Sequence, residues 1–403
     1  MSTAIAGNGS RVQNDPLTTL PLTQGRAHIF RHAADVDPAL WAATFGHSHK
    51  DFEYYRLIEE TLREHFTYRY LVIEDAAGRA YTLQPLIVVD QDLAASAGGA
   101  IAEVIRRVRS LAPRFFRTRM LMAGCLVGDG DIGVVDDSDP TVAADVVAAA
   151  LLAYAKSEGI SLVTLKDFPV ARRPQLQAFI ARGYTRLDSF PSLAMDLGFE
   201  SFDAYMEERL SKVTRKGLRR KLRKGSAAQP PIVMEVLEDC SEVIDEIYPL
   251  YLDVARRSEV SFEIFTRDYF LEAGVRMPGR FRYFVWRQAG KAVAFSFCTI
   301  WNDHIYDNDI GLDYAVAHEL NLYYVTFRDL VEWALENGMK HYHSAPFNYD
   351  PKLHLRLKPV RHDLYVRHTS NLVNIAVQQI APWFAPANSD PALRRYWQSA
   401  AAE

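Results

Sequence analysis

Two stretches of the chain repeat one device: a helix closed by glycine, then a short strand closed by proline. Residues 146–169 read "VVAAALLAYAKSEGISLVTLKDFP", an alanine-rich helix stopping at Gly159 and a Val/Leu strand ending at Pro169. Residues 326–348 read "TFRDLVEWALENGMKHYHSAPFN", a helix stopping at Gly338 and a strand ending at Pro346. Upstream of each lies a β-rich pair of runs around a turn glycine, "YRYLVIEDAAGRAYTLQPLIVVDQ" around Gly78 and "FRYFVWRQAGKAVAFSFCTIW" around Gly290. Both halves thus run hairpin, strand, helix, strand, and the matching order carries the reading more than either stretch alone. Such an order predicts an α/β chain built from two similar units.

The boundaries follow from what flanks these blocks. A small, polar, unperiodic opening makes residues 1–26 a disordered leader. The first unit then spans 27–200, including "PQLQAFIARGYTRLDSFPSLAMDL", a short helix capped near Gly183 and two strands. Residues 201–230 form a connector in which Met206, Leu210 and Val213 stand at helical spacing, with a bend expected at Gly217. The second unit takes 231–380, and 381–403 is a tail.

That connector carries eight basic residues between Lys212 and Lys224, the pattern of a nucleic-acid grip. The rest of the chain does not share it: 46 Lys+Arg stand against 50 Asp+Glu, a formal net charge of -4. A DNA-binding role is therefore not expected, because phosphate neutralisation dominates such affinity. Leu218 and Leu222 give the basic helix an apolar contact, leaving its charges on the solvent side.

Three well-separated cysteines, Cys125, Cys240 and Cys298, contain no C-x-x-C pair, which argues against a disulfide framework and points to a reducing compartment. No stretch reaches the roughly 18 apolar residues of a membrane span, and the N-terminus lacks a signal-peptide core, so a cytoplasmic location is expected. No metal site follows from spacing, since His47 and His49 lack further ligands nearby. "GDGDIG" at 128–133 spells G-x-G-x-x-G, yet Asp129 and Asp131 inside the loop would repel a pyrophosphate.

Two polar clusters remain as candidates. "HIYDNDIGLD" sets Asp307 and Asp309 two apart, on one face of a strand, where a carboxylate pair can raise one pKa and produce a base for an ammonium group; solvated edge acids are the plain alternative. "KHYHSAPFNYDPKLHLRLKP" puts His341 and His343 on one strand face and Tyr349 after the turn, with Lys352, His354 and Arg356 alternating beyond it. Tyr349 is a candidate general acid or acceptor contact, and His343 and Arg356 are candidate substrate contacts. A basic, aromatic exposed hairpin would look the same.

The "LAMDL" strand leading through "SFDAYMEERLSKVTRKGLRRKLRKG" into a second unit, and the closing "GMKHYHSAPFNYDPKLHLRLKPV", resemble tandem GNAT-fold acyltransferases, the Fem-type peptidyl transferases and related N-acyltransferases of bacteria. The resemblance spans roughly residues 30–369. It implies an α/β (α+β) protein of two tandem GNAT-like domains, each a mixed, mostly antiparallel sheet flanked by helices. It further implies transfer of an acyl or aminoacyl group to an amine of a small or amino-acid-containing acceptor. Acyl-CoA such as acetyl-CoA, or an aminoacyl-tRNA, would be the donor and no permanently bound cofactor is needed. Backbone N–H groups where two strands splay would serve the acyl carbonyl. Lys352 matches the family lysine that stabilises charge on the donor or tetrahedral intermediate, and Arg219 and Arg220 of the basic helix are candidate phosphate contacts. The family's glycine-rich pyrophosphate loop is missing from "GLDYAVAHELNLYY", which keeps a non-catalytic, ligand-binding protein as the alternative.

Overall fold

The apolar runs on either side of Gly78 pair as a hairpin that satisfies both backbones and is buried on both faces, with Leu71, Val72 and Ile73 opposite Gln84, Leu83 and Thr82, all fully buried. The computed structural model describes residues 15–64, 66–92, 103, 107, 117–258, 264–385 and 390–400. It divides into two compact units, Met1–Phe190 with Arg361–Arg394, and Pro191–Val360 with Arg395–Glu403.

In the first unit the order is β1 (Thr18–Leu22), β2 (Gly25–Phe30), α1 (Pro38–Phe45), α2 (Phe52–Leu62), β3 (Thr67–Glu74), β4 (Ala80–Asp92), β5 (Arg117–Ala123), β6 (Gly133–Val134), α3 (Pro140–Ser157), β7 (Leu162–Pro169), α4 (Gln177–Ala181) and β8 (Thr185–Asp188). β5 and β7 pair in parallel, while β1 to β5 pair as an antiparallel meander. Helix α3 starts where Asp139 accepts from the N–H groups of Thr141 and Val142 and Pro140 fills the first helical position. It ends at Gly159, whose φ of 65° is the left-handed conformation that costs glycine least. Between these ends Ala143, Val147, Ala148 and Leu151 bury completely against the sheet.

The second unit runs β9 (Ser192–Asp196), α5 (Phe202–Arg209), α6 (Lys212–Ser226), β10 (Ile232–Leu237), α7 (Ile244–Arg257), α8 (Arg267–Arg276), β11 (Phe281–Gln288), β12 (Lys291–Trp301), β13 (His304–Leu312), α9 (Ala317–Leu320), α10 (Leu322–Glu336), β14 (His341–Ser344), α11 (Tyr349–His354) and β15 (Lys358–Val360). Its sheet order is β10-β11-β12-β13-β14-β9-β15, with β13 and β14 parallel. An aromatic core of Phe270, Phe281, Tyr283 and Phe297 joins helix α8 to strands β11 and β12. The chain then returns to the first sheet as β16 (His362–His368), between β7 and β8, followed by α12 (Asn371–Ile380).

Several local expectations change. Residues 18–22 are a strand paired with β2, so that part of the expected leader is ordered by the sheet; residues 1–14 lie outside the described residues. Strand β9 pairs with β14 and β15 in the second sheet, and β16 pairs with β7 and β8 in the first. Each joins the sheet opposite to the one its sequence position suggests.

The basic connector is two helices, broken not at Gly217 but at Leu210 and Ser211, where the Ser211 hydroxyl accepts from the N–H of Thr214 and starts α6. Leu218 and Leu222 are buried, each contributing about 1.5–3 kcal/mol of hydrophobic burial, whereas Val213 is 83% exposed and lies off the apolar stripe. At Gly225 a Cβ would stand 2.6 Å from Val325 Cγ2 and 2.9 Å from the Leu320 carbonyl, so glycine lets α6 lie directly against α9 and α10. The basic helix is thus a packed part of the second unit. No helix among the described residues is long and apolar enough to cross a membrane.

Candidate active site

Parallel pairing of β13 and β14 lasts only from His304 opposite His341 to Asp307 opposite Ser344. The Ala345 N–H closes it with a 3.2 Å bond to the Asp307 carbonyl. Beyond this point β13 continues to Leu312 along β12, while the other strand turns off through Phe347 and Asn348, both at positive φ, into helix α11. The result is a fork at which backbone groups of β13 are released from the β14 ladder.

Side chains converge on this fork. The Asp307 carboxylate accepts from Ser296 Oγ at 2.6 Å, Tyr342 OH at 2.7 Å and Cys298 Sγ at 3.8 Å. Burial pushes its pKa up, against the pull of these donors and of the Lys352 charge. Lys352 is buried and donates to the Ala345 carbonyl at 2.7 Å. Burial lowers its pKa to about 8, opposed by the Asp307 carboxylate. Tyr323, in the first turn of α10, is raised by burial and then by the same carboxylate. A desolvated ammonium at a strand fork is a stabiliser for developing negative charge.

The fork brings Asp307 and Lys352 together but not their expected companions. A bulge in β13 sets Cys298 opposite Asp307 and Phe297 opposite Asp309, so the two-residue spacing no longer places both acids on one face. Tyr349 is 1% exposed and its hydroxyl donates to the Pro191 carbonyl at 2.9 Å, a structural bond. Lys352 and His354 sit on one helical turn rather than alternating along a strand, and Arg356 is exposed at φ 62°. His343 faces away from the fork, bonded to His304 at 2.8 Å and stacked on Tyr306. The contributors missed were Ser296, Cys298, Tyr323 and Tyr342. Of these Tyr342 carried a signal, since alternation puts it on the face opposite His341 and His343.

Helices α5, α6 and α10 enclose a groove of about 750 Å³ whose lining includes Lys212, Arg215, Lys216, Arg219, Arg223 and Arg328, with Asp203 and Glu332 as its acids. Arg219 bonds Glu207 at 3.2 Å on its rim. Arg220 is exposed on the same helix, outside that lining.

The first unit has the same parallel step, β5 with β7 from Met120 opposite Leu162 to Ala123 opposite Leu165. There the chain fills its own fork. The "GDGDIG" loop folds back so that the Gly130 N–H donates to the Asp167 carbonyl at 2.9 Å. A Cβ at Gly130 would stand 2.5 Å from the Lys166 carbonyl and 2.7 Å from the Phe168 ring. Lys50 donates to the Asp129 carbonyl at 2.7 Å and the Asp129 carboxylate lies 2.8 Å from His362 Nε2, which ties the loop down.

Residues 212–352 match the model of the acetyltransferase (GNAT) domain family. No curated protein matches the chain. Solved structures similar to it include L-PGS from Bacillus licheniformis, at 14% identity over 83% of this chain and 97% of that one, with a TM-score of 0.48. FemX matches at 10% identity over 81% and 94%, TM-score 0.48. A tandem GNAT protein from the clavulanic acid biosynthesis pathway matches at 12% over 76% and 84%, TM-score 0.43.

Proposed function

We propose that the chain is an N-acyltransferase whose reaction centre is the fork of the second unit, a reading supported by the match of residues 212–352 to the acetyltransferase (GNAT) domain model. An acceptor amine attacks the acyl carbonyl of the donor; the new C–N bond replaces the C–S bond of an acyl-CoA or the C–O ester bond of an aminoacyl-tRNA. The attacking nitrogen loses a proton and the leaving sulfur or oxygen gains one. The acceptor is a small amine or an amino-acid-containing molecule.

The observation that carries this reading is the Lys352 ammonium held on the Ala345 carbonyl at the point where β13 and β14 part. Negative charge on the carbonyl oxygen would develop beside a buried cation, where water screens it weakly. Asp307, already accepting from three side chains, is a positioning residue that keeps Lys352 protonated rather than a free base. The filled fork of the first unit leaves the second as the donor site. The basic groove supports binding of a phosphate-bearing donor, with Arg219 at its wall.

The segment between β13 and α10, where the family resemblance implies a glycine-rich pyrophosphate loop, folds as helix α9, which favours the second reading, a GNAT-like protein that only binds its ligand. Thermal unfolding against acetyl-CoA, longer acyl-CoAs, free CoA and deacylated tRNA separates the cases, because a ligand bound only by the native state raises the midpoint. A shift with one acyl-CoA, followed by amine-dependent release of free thiol, supports acyl-CoA transfer. A shift with tRNA alone supports an aminoacyl donor. Stabilisation without turnover over a panel of amines, or no stabilisation at all, would favour the binding protein.

A further inference from the structure

The sheet of the second unit carries a second polar cluster, on the face opposite the fork side chains. Tyr342 points toward helix α10, where it meets Phe327 at 5.7 Å between ring centres, so its neighbours His341 and His343 occupy the other face. There His304 stands opposite His341 and Tyr306 opposite His343. The His304 and His341 rings stack at 4.4 Å, tilted by 27°.

Hydrogen bonds engage one nitrogen of each of these two imidazoles. His304 Nδ1 is 2.8 Å from His343 Nε2, and His341 Nδ1 is 3.0 Å from the Asp196 carboxylate. That leaves Nε2 of each ring for a ligand. His304 Nε2 is 3.3 Å from an oxygen of Asp303, and one ligand atom from each of Asp303, His304 and His341 lies within 4.8 Å of the other two. At His341 the Asp196 carboxylate behind Nδ1 fixes the tautomer and turns Nε2 outward, the outer-shell arrangement of metal-binding histidines, and at His304 the His343 imidazole takes that place.

We infer that Asp303, His304 and His341 form a binding site for a divalent first-row transition metal of the Zn²⁺ class. Two imidazoles and one carboxylate suit zinc, cobalt or nickel and disfavour magnesium and calcium, which prefer all-oxygen shells. Three protein ligands leave the fourth tetrahedral position to water. Lys340, which bonds Asp303 at 3.1 Å, is 72% exposed and can swing into solvent as the cation enters. The two histidines come from adjacent strands and Asp196 from a third, so the ion would clamp β13 to β14, with β9 behind them, near the closed end of the fork.

Protein dialysed against chelator, then titrated calorimetrically with Zn²⁺ and followed by visible absorption with Co²⁺, tests the site. One equivalent should bind, with Co²⁺ bands of four-coordinate intensity and a raised unfolding midpoint. The double substitution His304→Ala, His341→Ala should weaken binding at least a hundredfold, and Asp196→Asn, which touches only the outer hydrogen bond, by 10–100-fold. The metal-free midpoint of each variant, compared with that of the metal-free parent, shows whether it has folded. If the parent binds no Zn²⁺, or folded variants bind as the parent does, the assignment fails.

Discussion

The Lys352 ammonium donates at 2.7 Å to the carbonyl of Ala345, the residue whose own N–H makes the last bond between β13 and β14. One residue therefore joins the cation to the vertex of the fork, and the charge is aimed by backbone rather than by a flexible surface contact. Activity and stability should therefore respond differently to the loss of this cation.

Lys352→Met should lower kcat by about 10²–10³, the usual loss when one preorganised donor to a developing oxyanion is removed. The same change should move the unfolding midpoint at pH 7 only slightly, since relief of a desolvated ammonium is offset by the loss of a donor to the Ala345 carbonyl and of a counter-charge to Asp307. Steady-state kinetics beside calorimetry checks both. A drop in midpoint matching the loss of rate would make Lys352 a structural residue.

The pH dependence has a definite sign. Lys352 falls from an ordinary 10.5 to about 8 in the folded protein through burial, partly offset by Asp307. Between these values the unfolded chain holds the extra proton, so this group's contribution to stability rises with pH across that window. Activity should fall as pH rises through about 8, as the ammonium is lost. An arginine at 352, always charged, should remove that alkaline limb from whatever activity it retains. A rate that rises through the same pH would identify the neutral amine as the working form and overturn the charge-stabilising role.

Asp307→Asn keeps an acceptor for Ser296 and Tyr342 but removes the charge that opposes neutralisation of Lys352. The alkaline limb should therefore move to lower pH, with kcat at pH 7 reduced and restored as pH falls. An unshifted limb would separate Asp307 from Lys352.

Much of this arrangement could be read in advance where the signal was local. The glycine stops at Gly159 and Gly338, the hairpins around Gly78 and Gly290 and the helical character of 212–226 depend on neighbouring residues, and each forms. What escaped depends on distant partners. Strands β9 and β16 change sheets because their partners lie far along the chain, β14 and β15 for one, β7 and β8 for the other. The bulge in β13 breaks a two-residue rule that holds only for an unbroken ladder, so spacing alone pairs Asp309 with Asp307 where the strand does not. Left-handed Asn348 leads into a helical turn where alternation suggested a strand, which moved Lys352 to the fork and Tyr349 into the core.

Close packing of the basic helix can be tested at Gly225. An added methyl would meet Val325 and the Leu320 carbonyl, and only a shift of α6 would relieve the overlap. Gly225→Ala should therefore destabilise the second unit by about 1–3 kcal/mol despite alanine's better helix propensity. Gly217→Ala on the same helix, where a Cβ meets nothing within 4 Å, should be neutral or stabilising. Equal midpoints for the two variants would show that α6 is not held this tightly.

In the first unit the Asp129 carboxylate and the His362 imidazole, 2.8 Å apart, shift each other. Partial desolvation pushes the half-exposed Asp129 up, but His362, Lys50 and His49 outweigh it and hold the carboxyl below its ordinary 3.8. Burial pushes His362 down, but Asp129 and Asp167 outweigh it, with Lys50 opposing, and the pKa ends above 6.5. The carboxylate's contribution is present above 3.8 and lost as pH falls through its folded value. The imidazolium's contribution is present below 6.5 and lost as pH rises through its raised folded value. Both act together only between about 4 and 6.5, the ordinary values of the two groups. Asp129→Asn should therefore lower the unfolding midpoint most inside that window and least near pH 9. It should also drop the His362 pKa below 6.5 by leaving burial unopposed by its nearest anion, which imidazole NMR titration reads directly. A His362 pKa unchanged by the substitution would show that the pair does not hold the loop in the first fork.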